Sequence, residues 1–271
     1  MSPVLRLSRT SDDPTGIGTI ALRNAGITAR AHRYSGIQGM AMVVVPDGSV
    51  VPTAQHFHAW SRTLAARGFT SMRTGALAPR QAVFAEAAGL RCVQELALLE
   101  LTLPSARSGL RITVSTDRTE RPQRRTHRLT RRQLQAIADI DRAAFGPNWW
   151  LDAGMLADVR NATPEYRARV IRDSSASRSG ESGGKIVGFL ISGRAGRTGY
   201  VQRLAVHPDA HRNGVATDLL VDSLRWMRRA RLQRVFVNTH VHNVAALTLY
   251  RAHGFAELPD RLRVFEGPIP L

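Results

Sequence analysis

A single cysteine, Cys92, stands in 271 residues. That excludes an intramolecular disulfide and a metal site built on several thiolates, so no metal is expected. It agrees with a reducing compartment, and the cytoplasm is the expected location. Long apolar runs are also missing. None approaches the roughly 18 residues that a membrane span needs, and residues 1–24 lack the apolar stretch of a signal peptide. No membrane partner is expected. Lysine is nearly absent: Lys185 is the only one among 38 basic residues. The net charge of +17 is therefore arginine charge. A basic surface attracts phosphate, but arginine used throughout in place of lysine is what a compositional bias produces. No recognition motif accompanies the charge, so nucleic acid is not an expected partner.

What is present fits two α/β units. At roughly 100–200 residues per domain the length suggests two, and an apolar fraction of 43% supplies real cores. Residues 1–104 form the first expected domain and read as alternating strands and helices. A strand is expected at 40–45, closed by a turn at Pro46, Asp47 and Gly48. Phe57, Trp60 and Leu64 fall near helical spacing within 53–67, and Gly68 stops that helix. A strand is expected at 69–73 and a helix at 79–88, with Pro79 in its first turn and Gly89 past its end. A strand-like run within 90–103 is closed by Pro104. Residues 105–123 are rich in Arg, Ser and Thr and read as a linker, with a possible short strand at 110–114.

Residues 124–271 form the second expected domain. A helix is predicted at 130–145, with Thr130 as N-cap and a break at Gly146. Trp149 and Trp150 open a second helical stretch to Arg160. Residues 173–184 read as a Gly/Ser-rich loop, and 185–192 and 200–207 as strands joined by a turn. After a polar turn, residues 215–231 place Val215, Leu219, Leu220, Leu224 and Met227 along one helical stripe. A strand at 234–238 follows. Asn243 is a fitting N-cap for a last helix, which Gly254 ends before Phe255 begins a strand.

The turn carries chemistry. A strand that ends at a glycine-containing loop opening a helix leaves several backbone N–H groups unpaired and aimed one way. The helix dipole adds positive charge there, and the pair of effects binds phosphate. Gly214 permits close backbone approach, Ala216 keeps the first turn small and Arg212 adds a charge. Tyr250, near the end of the last helix, is either a core aromatic or a phenol able to protonate a leaving thiolate.

Three blocks in order resemble the GNAT superfamily of acetyltransferases: Leu204-Ala205-Val206-His207-Pro208, then His211-Arg212-Asn213-Gly214-Val215-Ala216, then Asn243 to Phe255 with Ala246, Leu249, Tyr250 and Gly254. The resemblance covers about residues 124–271. It implies a mixed, largely antiparallel twisted sheet flanked by helices and an N-acetyltransferase activity. Acetyl-CoA would be the cosubstrate and a primary amine the acceptor, attacking the thioester directly. Leu204, Ala205 and Val206 would pair with the pantetheine arm as an added strand. His211, Arg212, Asn213, Gly214, Val215 and Ala216 would form the pyrophosphate loop, Asn243 would bond the pantetheine region, and Tyr250 would be the general acid. Two positions depart from the family pattern. His211 stands where Gln or Arg is usual. Asn238 stands where a branch of the family has a Glu base, and an amide cannot take a proton. His240 and His242 remain as candidate bases, or as plain loop histidines.

The acceptor is left open between a protein N-terminus or lysine and a small amine. Trp149, Trp150, Tyr200 and Gln202 are candidates to line its side. Asp139, Asp141, Asp152 and Asp158 are too spread to form an evident acidic cleft. The end of the first half, 69–90, parallels the end of the second, 234–255, with Ala78 opposite Asn243 and Ala85 opposite Tyr250; no phosphate loop precedes the helix at 53–67, and a generic α/β unit is the alternative. The expectation is a tandem arrangement with a degenerate first unit, similar in plan to mycothiol synthase. The rival reading is a non-catalytic acyl-CoA-binding or basic nucleic-acid-interacting protein.

Overall fold

The computed structural model describes residues 19–34, 37–45, 50–104, 124–146, 149–173 and 184–269. The expected turn at Pro46 to Gly48, the linker with its possible strand, and most of the Gly/Ser-rich loop lie outside the described residues. Two compact units result: Met1–Glu95 with Leu262–Leu271, and Leu96–Arg261. Among the described residues no helix is long and apolar enough to cross a membrane.

The first unit opens with an antiparallel pair, β1 (Ile20–Asn24) and β2 (Ile27–Arg33), turning at Ala25 and Gly26. β3 (Met40–Val44) pairs antiparallel with β2 and parallel with β4 (Ser71–Thr74). A parallel pair needs a crossover, and α1 (Ala54–Ala65) supplies it. Phe57, Trp60 and Leu64 fall on one face of α1 by helical spacing and are buried with Leu22, Met72 and Phe265. α2 (Pro79–Ala87) and β5 (Arg91–Thr102) follow. The 13-residue β11 (Ala256–Pro268) returns to this unit at its end, where Glu266 to Pro268 pair with β4. There Arg73 ion-pairs with Glu266, which compensates an arginine only 4% exposed.

The second unit repeats the plan. The two-residue β6 (His127–Arg128) pairs with β7 (Glu165–Arg172), which pairs antiparallel with β8 (Ile186–Ala195). β8 pairs antiparallel with β9 (Thr198–Val206), and β9 runs parallel to β10 (Arg234–His240) across α5 (Val215–Arg229). α6 (Val244–Ala252) precedes β11. The order β1-β2-β3-α1-β4-α2-β5 thus recurs as β7-β8-β9-α5-β10-α6-β11, with the same pairing senses. The other edge of β10 is covered by Leu96–Thr102 of β5.

Two cores flank this sheet. One joins Leu99 and Leu101 to Leu219, Leu220 and Met227 of α5. The other packs α3 (Leu134–Phe145) and α4 (Ala153–Arg160) on Val170, Phe189 and Ile191. Three boundaries differ from expectation. Thr130 precedes a short 3-10 turn, Arg131–Gln133, and α3 starts only at Leu134. The helix expected from Trp149 begins at Ala153, because the Asp152 carboxylate accepts from Met155 N at 2.8 Å and caps it there. β7, which no pattern announced, alternates arginines with apolar residues along an edge.

Candidate functional site

The parallel pairing of β9 and β10 runs from Thr198 with Arg234 to Val201 with Val237. Both strands continue, β9 to Val206 and β10 to His240, each still paired on its outer edge. Between them lies a gap with unpaired strand edges. His207 N donates to Val187 O at 2.8 Å, which sets the phase of the β8–β9 ladder. Ala205 therefore turns its peptide groups toward Phe189, whereas Leu204 and Val206 turn theirs to the gap. By the same reasoning the bond from Leu103 N to Gln233 O leaves the peptide groups of Asn238 facing the gap from the other side. An open edge of this kind accepts an extended ligand as an added strand.

Gln202 is the extra residue of a bulge, since Ile191 pairs with Arg203 but Ser192 with Val201. Val201 packs in the α5-side core. In a regular strand Arg203 would share its face. The bulge re-aims Arg203 to the α3 side. There Arg203 meets Asp141 in two hydrogen bonds of 2.7 Å and donates to Trp149 O at 2.7 Å. Its guanidinium lies 3.6 Å from the Phe145 ring centroid. Asp141 is fully buried and also accepts from Leu151 N at 2.6 Å. The 149–151 segment is thereby tied to β9. Trp149 packs 6.3 Å from His240, and His240 lies 5.2 Å from His242. Tyr200 stacks on Phe236 at 6.3 Å on that same face. Trp150 is held beneath Arg142 instead. Asp139 accepts from Gln135, and Asp152 caps α4.

The loop after β9 makes a 3-10 turn at Pro208–Ala210 and enters α5 through Gly214. Arg212 at φ 59° and Gly214 at φ 74° curl the backbone in the left-handed region. A side chain other than glycine costs roughly 1–2 kcal/mol there, so Arg212 marks strain held by its surroundings. Gly214 has no side chain to cap the helix, leaving the first amides of α5 without a side-chain acceptor. The helix start sits close on the sheet: a Cβ at Gly188 would lie 2.7 Å from Val215 Cγ1. The His211 ring turns back, and Nε2 donates to Val206 O at 3.0 Å. A carbonyl only accepts, so this nitrogen carries the proton. Arg124 secures the loop from outside. Its guanidinium donates to Asn213 O and lies 3.8 Å from Asp218, and its amide donates to the same carboxylate at 3.3 Å.

Asn243 caps α6, accepting from Ala246 N at 3.1 Å through Oδ1, so its amide NH2 remains available as a donor. Tyr250 is buried against Phe255, with ring centroids 5.6 Å apart. Burial pushes the phenol above its ordinary value near 10, and the Arg203 charge works in the opposite direction. The group stays protonated throughout the neutral range and is a proton donor there. Asn238 is exposed on β10 and offers no base. Sequence reasoning missed Arg203 and Arg124, and weighed Asp141 only for an acidic cleft rather than as the partner of Arg203. The sign that could have found Arg203 is a lone arginine inside an apolar strand, at the point where strand alternation breaks.

Residues 134–255 match the sequence model of the acetyltransferase (GNAT) family. This stretch is a GNAT acetyltransferase domain. The match supports an acyltransferase activity for this stretch. No curated protein matches the chain in sequence. Among solved structures, a tandem GNAT protein from the clavulanic acid biosynthesis pathway, solved without AcCoA, superposes with a TM-score of 0.63 at 14% identity, covering 94% of this chain and 84% of that one. A GCN5-related N-acetyltransferase from Kribbella flavida gives 0.58 at 13% identity, with 93% and 90% covered. Another from Sphaerobacter thermophilus gives 0.54 at 14% identity, with 90% and 77% covered. At these identities the likeness is one of fold, and it extends over both repeats of this chain.

Proposed function

We propose that the GNAT domain transfers an acetyl group from acetyl-CoA to a primary amine, in the cytoplasm. The observation that carries the reading is the gap between β9 and β10. It opens at one end on the start of α5, which has no side-chain cap, and Tyr250 packs in the same buried core as Val206 of β9 and Val237 of β10. The backbone groups of Leu204 and Val206 receive the pantetheine arm, with Ala205 holding the strand to β8. The amides of Arg212, Asn213, Gly214, Val215 and Ala216 hold the pyrophosphate, with His211 bracing the loop through Val206. The Asn243 amide nitrogen donates to the pantetheine region.

In the reaction the amine lone pair attacks the thioester carbonyl carbon. The oxyanion meets the strand backbone near Leu204. The C–S bond then breaks, and the thiolate takes the Tyr250 proton. The proton lost from the amine passes to water or to His240 or His242, which stand beside Trp149 on the acceptor side. Tyr250 is reprotonated from solvent before the next turnover.

The first repeat supports the fold without this chemistry. Ala78 occupies the N-cap of α2, where Asn243 caps α6, and the buried Ala85 stands where Tyr250 does. The start of α1 is closed as well: His56 Nδ1 lies 2.8 Å from Thr53 Oγ1 and 3.1 Å from Thr53 N. A coenzyme A release assay with acetyl-CoA against peptides and small amines tests the proposal. Release with at least one acceptor is expected. Tight acetyl-CoA binding with no release from any acceptor would instead favour a non-catalytic acyl-CoA sensor.

A further inference from the structure

The free edge of β7 borders a second feature of this unit, on the side of β8 away from β9. β6 covers β7 only at Arg169 and Val170, and Leu129 N adds one bond to Ala168 O at 3.1 Å. Beyond them opens a cavity of about 770 Å³. Five arginines line it: Arg128, Arg131, Arg160, Arg167 and Arg169, with Tyr166 and Trp226 in the wall.

Among the described residues one carboxylate answers this charge. Asp222 takes Arg167 in two bonds of 3.1 Å and lies 3.7 Å from Arg169. Among the described residues, Arg128, Arg131 and Arg160 have no carboxylate partner. Arg160 lies over the Tyr166 ring at 5.2 Å, and its Nε is buried without a hydrogen-bond partner. Glu165, the residue before Tyr166, is held by Arg194. Burial, and then the Arg167 charge, hold Arg169 below its ordinary pKa; Asp222 opposes this and Arg128 adds to it. Like charges crowded to this degree are relieved by a bound anion.

We propose that this cavity is a second anion site, which takes a small, multiply charged phosphate compound and is separate from the acetyl-CoA site. Its volume falls within the range of small-molecule pockets. Guanidinium forks match phosphate oxygens bidentately. Several unneutralised charges in so small a space call for a ligand of high charge density, which phosphate groups carry at neutral pH. Trp226 lies eleven positions along α5 from Val215, roughly 16 Å at 1.5 Å per residue. The cavity is thus displaced along the helix from the pyrophosphate loop.

The test is titration calorimetry of tripolyphosphate into the full chain at about 0.15 M ionic strength, with and without saturating acetyl-CoA. Saturable binding, one per chain and unchanged by acetyl-CoA, is expected. The double variant Arg131→Gln, Arg160→Gln should weaken it by at least about tenfold, while acetyl-CoA binding and the circular dichroism spectrum stay as in the parent. Absence of binding, displacement by acetyl-CoA, or indifference to the double variant would each overturn the proposal. Tighter binding of a short single-stranded oligonucleotide or an Asp/Glu-rich peptide, lost in the same variant, would overturn it in favour of a macromolecular partner.

Discussion

Arg203 of β9 and Asp141 of α3 meet in two parallel hydrogen bonds of 2.7 Å, with the carboxylate fully buried. This pair joins the strand that borders the gap to the helix beneath it. Through Trp149 O and Leu151 N it also sets the segment that brings Trp149 to His240. Removing one member leaves a buried charge and an orphaned amide. Asp141→Ala should cost about 3–5 kcal/mol, measured by urea denaturation. An unchanged denaturation midpoint would show that the pair is not a structural tie.

Tyr250→Phe keeps the ring packed on Phe255 and removes only the hydroxyl. Acetyl-CoA affinity should stay within about twofold while kcat falls by roughly 10²–10⁴, the usual worth of a general acid. Equal turnover in the variant would remove Tyr250 from the mechanism.

The raised pKa of Tyr250 also has a pH consequence. The folded state holds this proton more tightly than the unfolded chain does. Its contribution to stability is therefore complete below the ordinary value near 10 and declines as pH rises through the folded pKa. The parent should lose stability above pH 10 more steeply than Tyr250→Phe in thermal melts. Parallel curves would count against burial of the phenol.

Gly188→Ala tests the seating of α5. The new methyl would lie 2.7 Å from Val215 Cγ1 and 3.2 Å from Ala205 O, so the helix start must shift. A stability loss of about 1–3 kcal/mol is expected, with KM for acetyl-CoA rising more than kcat falls. A normal KM would mean that the helix start does not hold the coenzyme.

Arg124→Ala removes the brace on Asn213 and Asp218. KM for acetyl-CoA should rise several-fold, with kcat nearly unchanged, because the loop amides lose their fixed aim rather than their chemistry. Steady-state kinetics with acetyl-CoA as the varied substrate separates the two.

Much of this protein was legible from sequence alone. Strand ends, helix stripes and the glycines at helix termini are local signals, read within a few residues, and they located β3, α1, α2, β8, β9, α5, β10 and α6. The blocks around Gly214, Asn243 and Tyr250 pointed to the family for the same reason: each feature depends on short spacing. β7 escaped because its alternating arginines look like a solvated stretch until a neighbouring strand pairs with it. The start of α4 escaped because an Asp152 cap outweighed the apolar Trp149 and Trp150.

Other features depended on residues distant in sequence. The bulge at Gln202 is a mismatch between two strands, and only their pairing turns Arg203 toward Asp141, 62 positions away. The cover of β10 by β5, and the return of Leu262–Leu271 to the first unit, are likewise matters of which edges meet. Sequence by itself determined the elements and the loop chemistry, since backbone propensity and capping are local. Tertiary structure alone decided which peptide groups stay open, which arginines crowd together and which tyrosine loses its water, since pairing and burial are set by neighbours that the chain brings together only when folded.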